Sequence, residues 1–437
     1  MERVLSSNVA KNVGSKITIQ GWLHKKRLLG GLNFIVVRDR SGLVQIVLDQ
    51  EQEIEKLRGM QIGTIVSITG EAVKEERAPG GAELHDAVVT VDVPVTEEPL
   101  VEIDKPISHK SENLDTLFDN RVIGLRSPQE QAIFKIQAAV EESIRGFLTS
   151  QDFTQFNSPK LLPGATEGGA EVFKLDYFGK EATLAQSAQF YKQIMVGVFE
   201  RVFEINPTYR AEPSATTRHM TEFITVDAEM GFIDFADLLN LLSNLMNRVV
   251  DDVWAKCEPQ LKMWNATKPA LPAEIPQLTM AEIHEKYSKA TGTDTTAELD
   301  LRPDEERWIC EYAAKNLGSE AVFVTDWPKR DAKFYHKLKE DNPEIAERAD
   351  LLFRGVETAT ASMREHRYEV LIKQLKEMAN GDPESPGFKY YLQAFKYGMP
   401  PHGGFGLGLE RLTEKIIGLN NVKEATLFPR DINRLTP

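Results

Sequence analysis

The chain has 437 residues, 41% hydrophobic and 27% charged, with 52 Lys and Arg against 66 Asp and Glu and a net charge of −14. At about 150 residues per domain that length predicts two or three domains. The acidic balance excludes a uniformly basic nucleic-acid coat but leaves room for a local basic patch. Two cysteines, Cys257 and Cys310, give neither a disulfide framework nor a Cys-based zinc site. With no run of about 18 apolar residues and no apolar N-terminal core, a cytoplasmic protein without a membrane segment is expected.

The first hundred residues read as β structure. KITIQGWL (16–23), NFIVVR (33–38), LVQIVL (43–48), TIVSIT (64–69) and AVVTVDV (87–93) are short β-branched runs, and the charged helical stretch EQEIEKLRGM separates the third from the fourth. Five strands with a helix in that place is the order of an OB-fold barrel, assigned to residues 1–103. A generic barrel with another role has the same pattern. Residues 1–50 hold eight Lys and Arg against three acids, and Phe34 follows the basic run KKRLLGGLN. Cations beside an aromatic ring suit an unpaired base and its phosphates, although Phe34 taken alone is more often a barrel-core residue.

Residues 104–126 are expected to be a linker, continuing an irregular stretch with Pro94, Pro99 and Pro106. A second domain is expected over 127–437. It opens on a helix with Ser127 as N-cap, Pro128 in the first position and Glu130 completing a capping box. Ile133, Ile136, Val140, Ile144 and Phe147 then form one apolar stripe. FTQFNSPKLL (153–162) reads as a strand stopped by Pro159, 234–256 as an amphipathic helix, and 258–350 as a mixed insertion.

Three segments carry chemistry. TYRAEPSATTRHMTEFITVDAEMGF (208–232) puts Arg210 and Glu212 at the end of one β-run and Arg218, His219 and Phe223 at the start of the next. Arginine forks onto phosphate oxygens and a phenyl ring stacks on a base, so the set fits a nucleotide better than a plain surface hairpin. GMPPHGGFGLGLERL (398–412) lets glycine backbone approach a ligand ahead of Arg411, yet it is neither a Walker loop nor GxGxxG. In DLLFRGVETATASMREHR (350–367), Asp350 and Glu357 are hard oxygen donors suited to Mg²⁺, and Arg364 suits a carboxylate. Each of these alone reads as a surface salt bridge.

Together, YRAE…RHMTEF followed by GLGLER resembles motifs 2 and 3 of the class II aminoacyl-tRNA synthetases, and the helix, strand and Pro159 resemble motif 1, the dimer-forming element. An N-terminal barrel points to the aspartyl, asparaginyl and lysyl subgroup. TEGGAEVF (166–173), LAQSAQFYKQ (184–193), YGMPPHGGFGLGLERL and LFPRD are very similar to the archaeal-type aspartyl-tRNA synthetases. The resemblance runs from about residue 16 to the end. It implies an α+β chain: an OB-fold anticodon-binding domain, then a catalytic domain whose antiparallel sheet is flanked by helices. It also implies ATP-dependent formation of aspartyl-adenylate from L-aspartate, transfer to tRNA, and a homodimer.

Residue roles follow from the same resemblance. Arg210 is expected to bridge the α-phosphate and the substrate carboxylate, and Glu212 to face the adenine amino group. Arg218 and His219 are expected at the distal phosphates, Phe223 and Arg411 on either face of the adenine, and Met220 and Gly408 around the nucleotide. Asp350, Glu357 and Thr360 are expected to hold Mg²⁺. Glu167 and Gln189 are expected at the amino acid's backbone groups, with Lys192, Thr360 and Arg364 around its side chain. Arg27, Phe34, Gln45 and Glu83 match anticodon-contacting positions. His24, expected in the turn after the first strand, and Pro79 in RAPGGAE resemble enzymes that charge both tRNA(Asp) and tRNA(Asn). Such an enzyme leaves aspartyl-tRNA(Asn) for a separate amidotransferase.

Two segments depart from the family. VETATASMR stands where VEISSGGQR is usual, so that Thr360 replaces Ser, Ala361 and Ser362 replace two glycines, and Met363 replaces Gln; Ala188 replaces Pro. The new Cβ atoms predict crowding or a rerouted loop beside the adenylate. Three readings stay open: a non-discriminating aspartyl enzyme, an asparaginyl-like enzyme, and a catalytically altered paralogue that binds tRNA or nucleotide.

Overall fold

The computed structural model describes residues 2–28, 33–164 and 171–437. The chain forms two compact units, Met1–Gln131 with Pro437, and Ala132–Thr436. No described helix is long and apolar enough to cross a membrane.

In the first unit β1 (Lys16–Arg27), β2 (Asn33–Asp39), β3 (Gly42–Leu48), β4 (Ile65–Lys74) and β5 (Ala82–Val93) close a barrel in the order β1-β2-β3-β5-β4. Alternation drives the closure: Ile17, Ile19, Ile35, Val37, Val44, Ile46, Val66 and Ile68 all point inward. Helix α1 (Glu51–Arg58), between β3 and β4, adds Ile54 and Leu57 to that core. Strand β1 is longer than its apolar pattern predicts. His24 therefore lies inside the strand, where the register to β2 shifts between Leu23 and Lys25, and not in a turn. Such a bulge sets one residue out of the pairing and re-aims its side chain.

The stretch expected to be an irregular linker contains two helices, α2 (Ser111–Asp119) and α3 (Arg121–Gly124). Leu114, Leu117 and Phe118 form their small core. Both helices are too short for periodicity to reveal. The capping box expected at Glu130 does not form either. Its carboxylate accepts from the fully buried Arg121 at 2.7 Å, while the Ser127 N–H donates to Gly124 O. A buried guanidinium left unpaired costs more than a cap contributes.

Helix α4 (Pro128–Ser150) leads into the second unit at Ala132, and its stripe packs as the spacing predicts. The strand expected over 153–162 is instead two short pieces, β6 (Thr154–Gln155) and β7 (Leu161–Leu162), that pair into different sheets; Pro159 lies between them. Next come β8 (Lys174–Tyr177), β9 (Lys180–Leu184), α5 (Gln189–Phe199), β10 (Arg201–Tyr209), β11 (Glu222–Gly231) and α6 (Phe235–Lys256). The segment from 258 supplies α7 (Glu258–Met263), β12 (Gln277–Thr279), α8 (Met280–Thr291), α9 (Pro303–Asn316) and β13 (Ala321–Pro328). After them follow β14 (Ile345–Phe353), β15 (Val356–Arg364), α10 (Tyr368–Ala379), α11 (Lys389–Lys396), β16 (His402–Gly408) and α12 (Leu409–Ile417).

Among the described residues, β12-β13-β14-β15-β16-β11-β10-β6 form one eight-stranded sheet, antiparallel except where β12 meets β13 and β6 meets β10. The 258–350 segment is thus built into the sheet, not hung on it. One face carries Val226, Ala228, Ala349, Leu351, Ala361, Met363, Phe405 and Leu407, packed under α4, α6 and α12. By alternation the other face carries Asp227, Glu229, Asp350, Thr360, Ser362, Arg364, Gly404 and Gly406. The end of that second face is covered by α8 and α9 through Val322, Val324, Leu352, Ile309 and Cys310.

Candidate active site

The polar face of the sheet floors a cavity of 400 Å³. Register brings its residues into line: Asp350 sits opposite Thr360, Thr360 opposite Gly406, and Gly406 opposite Asp227. Glu357 would face the core by simple alternation. A bulge at Thr358, where Leu351 pairs with Ala359 but Leu352 with Glu357, turns it to the polar face, and the Thr360 hydroxyl then donates to it at 2.8 Å.

One end of the cavity is a buried charge quartet. Lys192, in the first turn of α5 and 1% exposed, donates to Asp227 Oδ1 and to Phe405 O, each at 2.8 Å, with Glu229 at 3.6 Å. Arg364 donates to both oxygens of Glu229 at 2.7 and 3.2 Å, to Gly404 O at 3.1 Å, and to Ser362 Oγ. Two cations therefore face two carboxylates, Asp227 and Glu229, that the motif reading did not assign. Burial alone pushes the Asp227 carboxyl up, but Lys192 and the hydrogen bonds from Lys192 and Thr225 outweigh it and hold it below the usual range. Arg364 has one N–H left of five, on Nη1, and Lys192 one of three. Both leftover groups are donors.

The other end is lined by Arg210, Glu212, Arg218, His219, Met220 and Phe223 from the β10–β11 connection and its flanks, with Glu357, Gly408 and Arg411 facing them. The Arg210 guanidinium lies over the Phe223 ring, 5.4 Å from its centroid. Arg411, in the first turn of α12, donates to Glu357 O at 3.0 Å and Arg218 O at 3.3 Å. The Thr216 hydroxyl holds His219 Nδ1 at 2.7 Å, and burial, with Arg411 beside it, pulls the His219 ring below its ordinary value. Gln189 Nε2, Asp227 Oδ2 and Arg210 Nε are buried without a hydrogen-bond partner among the described residues. Buried polar atoms are rarely left so, and three around one cavity mark a polar ligand with both donors and acceptors.

Thirteen of the expected residues line this one cavity; Glu167 lies outside the described residues. Asp350 is beneath the surface, with its carboxylate gripped by Arg348 at 3.2 and 2.9 Å. Burial pushes its carboxyl up; Arg348 opposes and the nearby Glu357 reinforces the shift. Among the described residues no three His, Cys, Asp or Glu side chains cluster as a metal site, so the candidate set is two carboxylates and the Thr360 hydroxyl. Missed residues include Asp227, Glu229 and Arg348. The signal for the first two was present as acids two apart in an otherwise β-branched and apolar run, ITVDAEMG.

The rerouted loop expected at TATASM does not exist. Beyond the bulge at Thr358, residues 359–362 run in regular register between β14 and β16. Ala361 and Met363 point into the core, away from the cavity, and Ser362 is fully buried against Arg364. Facing them, a Cβ on Gly403 would come within 2.7 Å of Met363 Sδ. Ala188 is the N-cap of α5 and makes no side-chain cap.

In the first unit, Arg27 pairs with Phe34 across β1 and β2, its guanidinium 5.9 Å from the ring centroid. Phe34 is only half-buried and lies outside the barrel core, so the core reading of that residue is not met. Gln45 donates to Glu83 at 2.7 Å. His24 is 8% exposed, with an unpartnered Nδ1, and Pro79 opens the single turn Pro79–Gly81.

Residues 113–432 match the model of class II tRNA synthetases (D, K and N), and residues 17–91 match the OB-fold nucleic acid binding domain. The chain is 41% identical, over the full length of both chains, to the aspartate–tRNA(Asp/Asn) ligase of Archaeoglobus fulgidus. It is likewise 41% identical over full length to the enzyme of that name from Thermus thermophilus. Its structure resembles that of asparaginyl-tRNA synthetase from Pyrococcus horikoshii complexed with asparaginyl-adenylate, with a TM-score of 0.91, 31% identity and full coverage of both chains.

Proposed function

Since the chain belongs to the class II tRNA synthetases of the aspartate, lysine and asparagine group, we propose that it activates L-aspartate with ATP and transfers it to tRNA(Asp) and tRNA(Asn). The observation that carries this reading is Lys192, Arg364 and Asp227, backed by the buried Glu229, in the same cavity as Arg210 and Arg411.

The quartet is charge-balanced, so selectivity rests on hydrogen-bond polarity. The leftover N–H groups of Lys192 and Arg364 are both donors, and a carboxylate offers acceptors to each. A carboxamide would turn its NH₂ toward one of them, a donor against a donor, at a cost of about 1–3 kcal/mol. Asp227 Oδ2 supplies an acceptor for the substrate ammonium, and Gln189 Nε2 a donor for its carboxylate. Arg210 then holds the substrate carboxylate against the α-phosphate and stabilises the charge that grows at phosphorus. Phe223 and Arg411 take the adenine between them, and Arg218 and His219 take the distal phosphates. Positioning and electrostatics suffice, with no covalent nucleophile.

Asp350, Glu357 and Thr360 fit Mg²⁺. They offer hard oxygens, and Glu357 adjoins a carboxyl whose ionisation is held back, an arrangement that a divalent cation relieves. When bound, the ion supplies charge neutralisation across the ATP phosphates.

The relatives named above carry the Asp/Asn designation, and the barrel residues His24 and Pro79 support the same range here. Arg27, Phe34, Gln45 and Glu83 are the proposed anticodon contacts. The aspartyl-tRNA(Asn) product would require a separate amidotransferase. Through its motif 1 the chain is expected to sediment as a homodimer at micromolar concentration; a monomer there would remove that part of the reading. The activity itself is tested by ATP–pyrophosphate exchange without tRNA. Exchange is expected with aspartate and not with asparagine. Exchange with asparagine would overturn the roles given to Lys192 and Arg364, and exchange with neither would favour a binding protein.

A further inference from the structure

Helix α9 brings one acid to the phosphate end of the cavity. Arg218 Nη1 donates to Glu306 Oε2 at 2.5 Å, and Arg218 Nη2 to Gly355 O at 3.1 Å. Gly355 sits at φ +82° in the turn between β14 and β15, pressed against α9: a Cβ there would come within 3.1 Å of Arg307 Cγ. Cys310, one helical turn beyond Glu306, is 5% exposed. Helix and turn thus form one packed block, and both grips on the Arg218 guanidinium come from it. The ion pair is mostly shielded, with side chains 22% and 16% exposed for Arg218 and Glu306. Exposed pairs of this kind contribute little, whereas shielded ones fix geometry.

Two of the five N–H groups of Arg218 are used, which leaves three for the cavity that it lines. A long side chain on a polar loop has many rotamers; an arginine tethered from behind has few, and meets an anion without first losing that freedom. We infer that Glu306 is a positioning residue for ATP, aiming Arg218 at the distal phosphates. The inference rests on the nucleotide reading of this site and adds to it a residue from α9, outside the sequence motifs.

The test is pyrophosphate exchange at varied ATP, with equilibrium ATP binding in parallel, for the parent, Glu306→Gln, Glu306→Ala, Arg218→Ala and the double variant. Glu306→Ala is expected to raise the KM for ATP about tenfold while the KM for aspartate stays within about twofold. Glu306→Gln keeps the acceptor without the charge and is expected to fall between. The double variant is expected to be no worse than Arg218→Ala alone, because Glu306 acts through that arginine. An unchanged KM for ATP in Glu306→Ala would make the pair merely structural, and a lower one would make it a competitor of the phosphates; either overturns the proposal. If Arg218→Ala leaves ATP binding unchanged, the phosphate role of Arg218 fails and the proposal with it, while aspartate-dependent exchange would still stand. Should Glu306→Ala not fold, Glu306→Gln and Glu306→Asp carry the same comparison.

Discussion

An Arg364→Ala chain is expected to lose aspartate-dependent exchange by on the order of a thousandfold in kcat/KM, and to unfold more easily by about 3–5 kcal/mol. The two effects have one origin. Arg364 is 3% exposed and spends four of its N–H groups on Glu229, Ser362 and Gly404. Its removal leaves the Glu229 carboxylate, 0% exposed, with only Lys192 at 3.6 Å. Lys192 would then be drawn from Asp227 towards Glu229, and the donor pair that reads the substrate side chain would be lost. Exchange kinetics and urea unfolding measure the two halves. Activity within tenfold of the parent would show that Arg364 only supports the sheet.

Arg210→Ala is expected to behave differently. Its kcat for adenylate formation should fall by about 10²–10³, with little change in melting temperature. Arg210 Nε has no hydrogen-bond partner among the described residues, and the guanidinium lies over the Phe223 ring, 5.4 Å from its centroid. Its removal takes almost nothing from the folded state but deprives the transition state of the cation between the two reacting groups. A variant that melts several degrees lower at unchanged kcat would make Arg210 a scaffold residue. The contrast between the arginines is itself informative. One is neutralised inside the protein; the other has an atom still waiting for an anion.

Much of this was legible in the sequence because it depends on short-range order. The barrel strands follow from alternation, α4 and α6 from apolar stripes, and the nucleotide end from a motif in which Arg210, Arg218 and Phe223 are close in the chain. What escaped is set by pairing between distant strands. Glu357 was named as an oxygen donor, but not the bulge at Thr358 that turns it to the cavity, and Asp227 and Glu229 gain meaning only when β11 lies beside β16 and within reach of Lys192 on α5. His24 lies in a strand because the β1–β2 ladder runs past the apolar stretch. Glu306 gave no local signal at all, since its partner is 88 residues away. The TATASM segment misled for a related reason: in isolation its added side chains suggest obstruction, but strand parity sends Ala361 and Met363 to the far side of the sheet.

Strand β16 has a consequence for how this chain can change over generations. A Cβ on Gly404 would lie 2.1 Å from Glu229 Oε2 and from Ala228 O, and one on Gly403 would lie 2.7 Å from Met363 Sδ. Neither glycine lines the cavity, yet Glu229, and through it Arg364, is seated in room that exists because position 404 has no side chain. Positions 363 and 403 likewise share one allotment of volume, so a larger residue at one is admissible only with a smaller residue at the other. Mutational routes through this part of the protein therefore run in coupled pairs. A single step at Gly404 would disable selection of the amino acid without touching any atom that meets it.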